Sequence, residues 1–464
     1  MTAKPTETLA AFAAGLEYEA LPAQVRERTL ALLIDAIACA YLGRDGPETR
    51  RMEDLAADLS ASGDSTVIGS ADRHSVTGAT LINSYQITAF NLCDVYRPAH
   101  CHLSPVVVAP SLATAEQQEV SGERLLTALA AGFEVVCRVG WALDFENFRE
   151  AGWHSPGVIG PFGGAAAVGA VYGLDTAAMR NALGLAGSQS GGTMAQWGTP
   201  TIKFHQSRGA LSGLLAGSLA AHGYEAGTEV LTDEVGGVLH IFSGGGVPER
   251  LTDRLGEHWE LMNISLKRWP SGSGLQTTVS ALFDLIGQHD VMPADVQRVR
   301  VVLPSHAYKS HGPMGWDDKF KAMLSASFIT SVIIHDRRCW IEQFGDGRRL
   351  DPDVDRFARD RVTVVEDPSL AGGAARTEIE LNDGSVLEDF RQAPKGDPSD
   401  PLDLSEVIAK FREATEPGVF EETIDHVTNL SSLENVAPLV RRLGREHPAR
   451  HGLPNRARGS SRHR

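Results

Sequence analysis

Between residues 20 and 265, apolar positions recur three and four apart, the period of a helix with one buried face. Pro22 and Gly43 bracket one such helix, with Pro at the start and Gly at the end. Arg124 to Val139 carries the same spacing, Asp175 is placed to cap a helix through Leu185, and Ala210 to Ala221 runs on to a stop at Gly223. The stretch 160–172 is nearly all small residues, as in Gly163 to Ala170. Small side chains let helix backbones approach closely, so a compact multi-helix domain is expected.

After about residue 290 the period changes to two. Gln297 to Leu303 puts Val299, Val301 and Leu303 on one face, and Arg361 to Val365 is β-branched. Arg376 to Leu381 and Ser385 to Phe390 flank Asn382-Asp383-Gly384, a hairpin turn. Helices are predicted over 275–288 and from Ala322 to Ile334, and again from Leu404 to Leu443. The expected fold is mainly α with a smaller α+β domain. Residues 1–265 and 404–444 form the helical domain, 266–390 an α+β lid, and 391–403, with three prolines and three aspartates, a linker. Residues 445–464 carry six Arg and one Glu without apolar periodicity and read as a disordered basic tail. No internal repeat occurs.

Composition narrows the partners. A chain of 464 residues with 42% apolar and 22% charged residues is an ordinary globular sequence. Its net charge of −16 argues against nucleic acid or an anionic membrane as partner. Met1 to Pro22 lacks the basic start and cleavage site of a secretory signal, and the apolar run Leu30 to Leu42 is short and broken by Asp35. The expectation is a soluble, cytoplasmic protein. Cys39, Cys93, Cys101, Cys137 and Cys339 form no CxxC pair, which points to reduced thiols rather than disulfides or an iron–sulfur cluster.

Four basic signatures stand out against this acidic background, each beside Gly, Ser or Pro: His100-Cys-His102, Gly152-Trp-His154, Ile202-Lys203-Phe-His205 and Leu266-Lys267-Arg268-Trp-Pro270. An acidic protein repels an anionic substrate unless its site is locally positive, so these signatures suggest one cationic pocket for a small polycarboxylate. His100 and His102 follow a loop carrying Asp94 and Tyr96, and a histidine titrates near working pH. Lys203, between Ile and Phe, is costly to bury without an anion. Lys267 and Arg268 precede a turn with Ser271 and Ser273 whose amides can meet a carboxylate. No HExxH, P-loop or GxSxG pattern is present, so no metal, nucleotide or serine-nucleophile site is expected.

The order of these motifs resembles the MmgE/PrpD family, which includes 2-methylcitrate dehydratase, cis-aconitate decarboxylase and iminodisuccinate epimerase. The matching text runs through His102-Leu-Ser-Pro, Ser121-Gly122 to Gly132-Phe-Glu134-Val, Gly152-Trp-His154, Lys203-Phe-His205 with Ala221-His-Gly223, and Lys267-Arg-Trp-Pro270, over about residues 20 to 335. The resemblance implies a helical domain made from both chain ends, an inserted α+β domain, a homodimer, and a cofactor-free and metal-free site between the domains. It implies that His102, His154, Lys203 and Lys267 line that site, with Asp94 matching a family acid. Around them, Asn91, Tyr96, His100, His205, Arg268, Ser271 and Ser273 are the expected substrate contacts.

Departures accompany the match. Where the family typically shows Asp-x-Asp-Asp-Thr, this chain has Asn91-Leu-Cys93-Asp94-Val95; where the family often has a turn histidine it has Gly272 and Ser273; and Phe328 falls where the family has a Tyr. The expected chemistry begins with removal of a proton beside a carboxylate by His102 or His154, while Lys203 and Lys267 neutralise the developing charge and the other His, or Tyr96, returns a proton. A hydro-lyase like 2-methylcitrate dehydratase, with altered substrate, is the first expectation. A decarboxylase, an epimerase or isomerase, or a non-catalytic ligand-binding member are the alternatives.

Overall fold

The computed structural model describes residues 4–46, 48–60, 62–415 and 421–444. The basic tail expected over 445–464 lies outside the described residues.

The sequence signals act where they stand. Helix Ala23–Gly43 starts after Pro22, and in helix Thr176–Gly187 the Asp175 carboxylate accepts from the Ala178 N–H at 2.8 Å. Helices Ser104–Gln118, Gly122–Ala142, Gly160–Tyr172 and Thr201–Ala221 form the centre of the helical part. The small residues work as expected at the crossing of the last two. A Cβ on Gly213 would come within 2.7 Å of Gly164 Cα, so only glycine lets these backbones meet. Among the described residues one helix, Gly122–Ala142 rather than the run Leu30 to Leu42, is long and apolar enough to cross a membrane, but 94% of its apolar window is buried inside the protein.

The second region carries a four-stranded sheet. Strand Val296–Leu303 pairs in parallel with Val362–Glu366 and antiparallel with Ala375–Leu381, which pairs antiparallel with Val386–Arg391. Val299, Val301, Thr377 and Ile379 are buried; Arg298–Glu380 and Arg300–Glu378 pair across the open face. Helix Gln276–His289 packs on the two antiparallel strands, and Ala326–Asp336 packs beside the parallel one.

Two long-range ties build the site. Val95–Tyr96 pairs with Ile264–Ser265, which brings the loop after Asn91 against the segment ending in Lys267. Helix Leu404–Ala414 then returns to pack on Ala23–Gly43. Its Lys410, fully buried, pairs with Asp35 and donates to the carbonyls of Leu92 (3.0 Å) and Lys267 (2.7 Å). Burial alone would push this ammonium down, and Asp35 reverses that and holds it above the usual lysine range.

Candidate active site

The entry loop, residues 91–102, contains two left-handed residues, Asn91 (φ 54°) and His100 (φ 42°). Asparagine adopts this conformation at little cost; histidine needs support from its surroundings. The His100 ring stacks on Phe145 at 4.8 Å and meets His306 edge-on at 5.3 Å. Burial, then His306 and Arg149, press His100 down to about 3, so it is a neutral ring.

Asp94, expected among the catalytic groups, is engaged elsewhere. Its carboxylate accepts from the N–H groups of Leu103 (2.8 Å) and Ser104 (2.9 Å) at the start of helix Ser104–Gln118, which makes it a positioning residue. Its backbone carbonyl lies 2.6 Å from His102 Nδ1. A carbonyl only accepts, so Nδ1 of His102 carries the proton and Nε2 is left as the basic nitrogen. Burial first and Lys267 second hold His102 at about 3.

His154 stands at the N-cap of a short helix, Ser155–Val158, which precedes the Gly/Ala-rich helix Gly160–Tyr172. Its Nδ1 lies 3.0 Å from Nδ1 of His205, so one ring donates, the other accepts, and the two hold opposite tautomers. The His205 ring in turn covers Gly192, whose φ of 142° and 3.2 Å clearance from a built Cβ admit only glycine. Burial, then His205 and His102, push His154 well below the ordinary imidazole range.

The two lysines carry the charge. Lys203, in the first turn of Thr201–Ala221, donates to the Ala89 carbonyl and lies 4.4 Å over the Phe320 ring. Lys267 donates to the Asn91 carbonyl at 2.9 Å. Both are at most 5% exposed, and neither has an ion-pair partner among the described residues. Burial lowers both; for Lys203, with Lys267 and Lys319 adding to it, the value falls to about 7. Beside them the amide nitrogen of Asn91 is buried with no acceptor. A cavity of about 240 Å3 opens at Lys203, lined by Glu48, Tyr85, Pro200, Lys319 and Phe320.

Several expected contacts point elsewhere. Tyr96 is fully buried and its hydroxyl donates to Glu260 Oε2 at 2.6 Å, so it belongs to the helical core. Arg268 turns away from Lys267 to pair with Glu413 at 2.9 Å. The Ser271 hydroxyl accepts from Gln276 Nε2 at 2.6 Å and locks the turn, and Ser273 opens the short turn Ser273–Leu275. Phe328 sits in an aromatic stack with Trp316 and Phe344 at 6.2 Å each, inside the second region. Four basic residues were missed by sequence reasoning: His306, His311, Lys319 and Lys410. All five cysteines are buried and free.

Residues 7–250 match the MmgE/PrpD N-terminal domain and residues 269–431 match the MmgE/PrpD C-terminal domain. The chain belongs to the MmgE/PrpD family. The family's two-part architecture is the helical assembly and smaller sheet region described above. A cis-aconitate decarboxylase of Aspergillus terreus is 29% identical over 94% of this chain and 95% of its own length. The cis-aconitate decarboxylase of Homo sapiens is 25% identical over 94% of this chain and 93% of its own. That of Mus musculus is 24% identical over 94% and 93%.

Proposed function

We propose that this MmgE/PrpD protein is a lyase that decarboxylates a small unsaturated polycarboxylate, with cis-aconitate as the first substrate to test. The observation that carries this reading is the pair of buried ammonium groups, Lys203 and Lys267, which donate to backbone carbonyls and have no carboxylate within ion-pair distance among the described residues. Buried cations without a partner are costly, and a ligand that supplies carboxylates removes the cost. The full-length relatives named as cis-aconitate decarboxylases support the choice of reaction.

The chemistry follows from the substrate. The carboxylate on the CH2 carbon of cis-aconitate leaves as carbon dioxide, and the pair from the broken C–C bond forms a new double bond to the central carbon. The pair of the old double bond moves to the CH carbon, where a proton is added. Negative charge therefore develops beside a carboxylate, where pre-placed, buried lysine cations stabilise it. The imidazoles are neutral in the empty protein. A tricarboxylate brings enough negative charge to protonate His102 at Nε2 or the His154–His205 pair, which then supplies the proton.

Incubation of the purified protein with cis-aconitate in deuterated buffer tests the reading by proton NMR and carbon dioxide release. A methylene signal with carbon dioxide and one deuterium on the neighbouring carbon is expected. A vinyl signal from a hydroxytricarboxylate without carbon dioxide would move the assignment to a hydro-lyase; exchange alone would move it to an epimerase.

Binding has a predicted pH dependence. The Lys203 value lies near 7, so the cation is complete only below it and is lost as pH rises through it. Affinity for the saturated analogue tricarballylate is expected to fall by about tenfold between about pH 6 and about pH 8.5, with net proton uptake on binding near neutrality. Titration calorimetry in buffers of different ionisation enthalpy measures both, and a flat profile would remove Lys203 from the anion site.

The homodimer is part of the same reading. Leu215 and Leu219, at 40% and 39% exposure, share a face of helix Thr201–Ala221, and Tyr224 follows at 59%. Sedimentation that gives a 49.8 kDa species at every concentration would exclude it.

A further inference from the structure

The turn after Lys267 has no side chain at Gly272, yet its space is filled. A Cβ built on Gly272 would lie 2.4 Å from Cε1, 2.9 Å from Nε2 and 3.1 Å from Nδ1 of His311. A Cβ on Gly274 would lie 3.0 Å from Cδ2 and 3.2 Å from Nε2 of the same ring. The φ of Gly272 is −53°, which any residue adopts, so the His311 ring and not the backbone keeps this position at glycine. His311 ends the helix Ser305–His311, is 4% exposed, and has Trp197 at 6.3 Å on another side. Its Nδ1 lies 3.0 Å from the Leu324 carbonyl, which only accepts. Nδ1 is therefore the protonated nitrogen, and Nε2, which lies toward the 272–274 turn, is the basic one. The charged and titratable groups that act on it are His306 and Lys267.

We propose that His311 is a substrate-binding residue of this site, reaching from the second region into the volume a side chain on the 270–274 turn would occupy and holding one carboxylate of the bound anion through Nε2. The proton shared in that contact comes from solvent as the anion enters, which satisfies a donor requirement that the empty, neutral ring does not meet. The inference rests on the polycarboxylate reading and adds a residue to it. The histidine missing from the Lys267 turn is thus supplied from a different element of the chain, with the tautomer fixed by Leu324.

Three variants and one spectrum test it. His311→Ala is expected to raise KM for cis-aconitate, and Kd for tricarballylate, by at least about tenfold, as for loss of one charge-assisted hydrogen bond. Gly272→His combined with His311→Ala is expected to recover most of that loss, because the three atoms nearest a Cβ at 272 all belong to the ring removed. Gly272→His alone is expected to destabilise the protein by collision with the ring. A purely structural role for His311 predicts no recovery in the double variant. If His311→Ala does not fold, 15N NMR of the wild-type histidines decides: a shift of Nε2 of His311 to the protonated range on adding tricarballylate supports the placement, and no shift overturns it. Unchanged KM and Kd in a folded His311→Ala protein also overturn it. A wild type that releases no carbon dioxide, yet loses tricarballylate affinity in His311→Ala, would reject the decarboxylase and leave this placement standing.

Discussion

Lys267→Met is expected to lose about 10²–10³-fold in kcat on cis-aconitate while keeping its fold, the usual consequence of removing one charge that a site aims at its transition state. The argument combines two observations. Lys267 is 2% exposed, and its ammonium meets only the Asn91 carbonyl. Removing it takes away a buried cation that forms no ion pair among the described residues, and replacement of buried charge by an apolar side chain of similar volume is often neutral or stabilising. Thermal melting should therefore show no loss, or a gain, alongside the fall in kcat. That combination separates a charge kept for the reaction from one kept for the fold. A decrease of less than tenfold in kcat would remove Lys267 from the reacting centre.

Lys410→Met is expected to do the reverse and cost stability, about 3–5 kcal/mol, because it leaves the Asp35 carboxylate buried and unpaired. Asp35 and Lys410 are both fully buried, and burial already lifts the Asp35 carboxyl even with the lysine present. Without the lysine, the folded-state value rises further above the unfolded one. The defect is then largest above the raised folded value, and it shrinks as pH falls through that value toward the unfolded carboxyl range, since the protonated acid carries no buried charge. Urea unfolding across pH measures this. Asp35→Asn added to Lys410→Met should restore part of the loss; a single variant as stable as wild type would show that the pair contributes nothing.

These two lysines also show what could be read from the sequence and what could not. Helix ends and turns were legible where a few residues dictate them, as at Pro22, Asp175 and the Asn382-Asp383-Gly384 hairpin turn, because capping and turn chemistry are local. Lys203 and Lys267 were legible because a lysine among large apolar residues has few inexpensive explanations. Lys410 left a comparable trace, lying three residues after Val407 and one before Phe411, both buried in helix Leu404–Ala414. On an ordinary amphipathic helix such a lysine reads as one that lays its stem along the core and keeps its ammonium in water.

Tyr96 and Arg268 lie on the stretches of chain that form the site, yet both side chains are engaged elsewhere. The Tyr96 hydroxyl goes to Glu260, and Arg268, directly after Lys267, leaves in a different direction from it. Lys267 goes to Asn91 and Arg268 goes to Glu413. Neighbourhood in sequence was mistaken for neighbourhood in space. His311 could not be found at all by spacing, because only the tertiary fold lays its ring on Gly272.

The Lys410 contacts have a temporal meaning. The carbonyls of Leu92 and Lys267 take hydrogen bonds from a residue made 318 and 143 positions later. During synthesis the entry loop and the Lys267 segment thus emerge without the ammonium that joins them, and loops that long close only once the far end has been delivered. A growing chain holds all its candidate catalytic side chains well before it holds the clamp that sets their spacing. Activity is therefore expected only once the Leu404–Ala414 helix has docked.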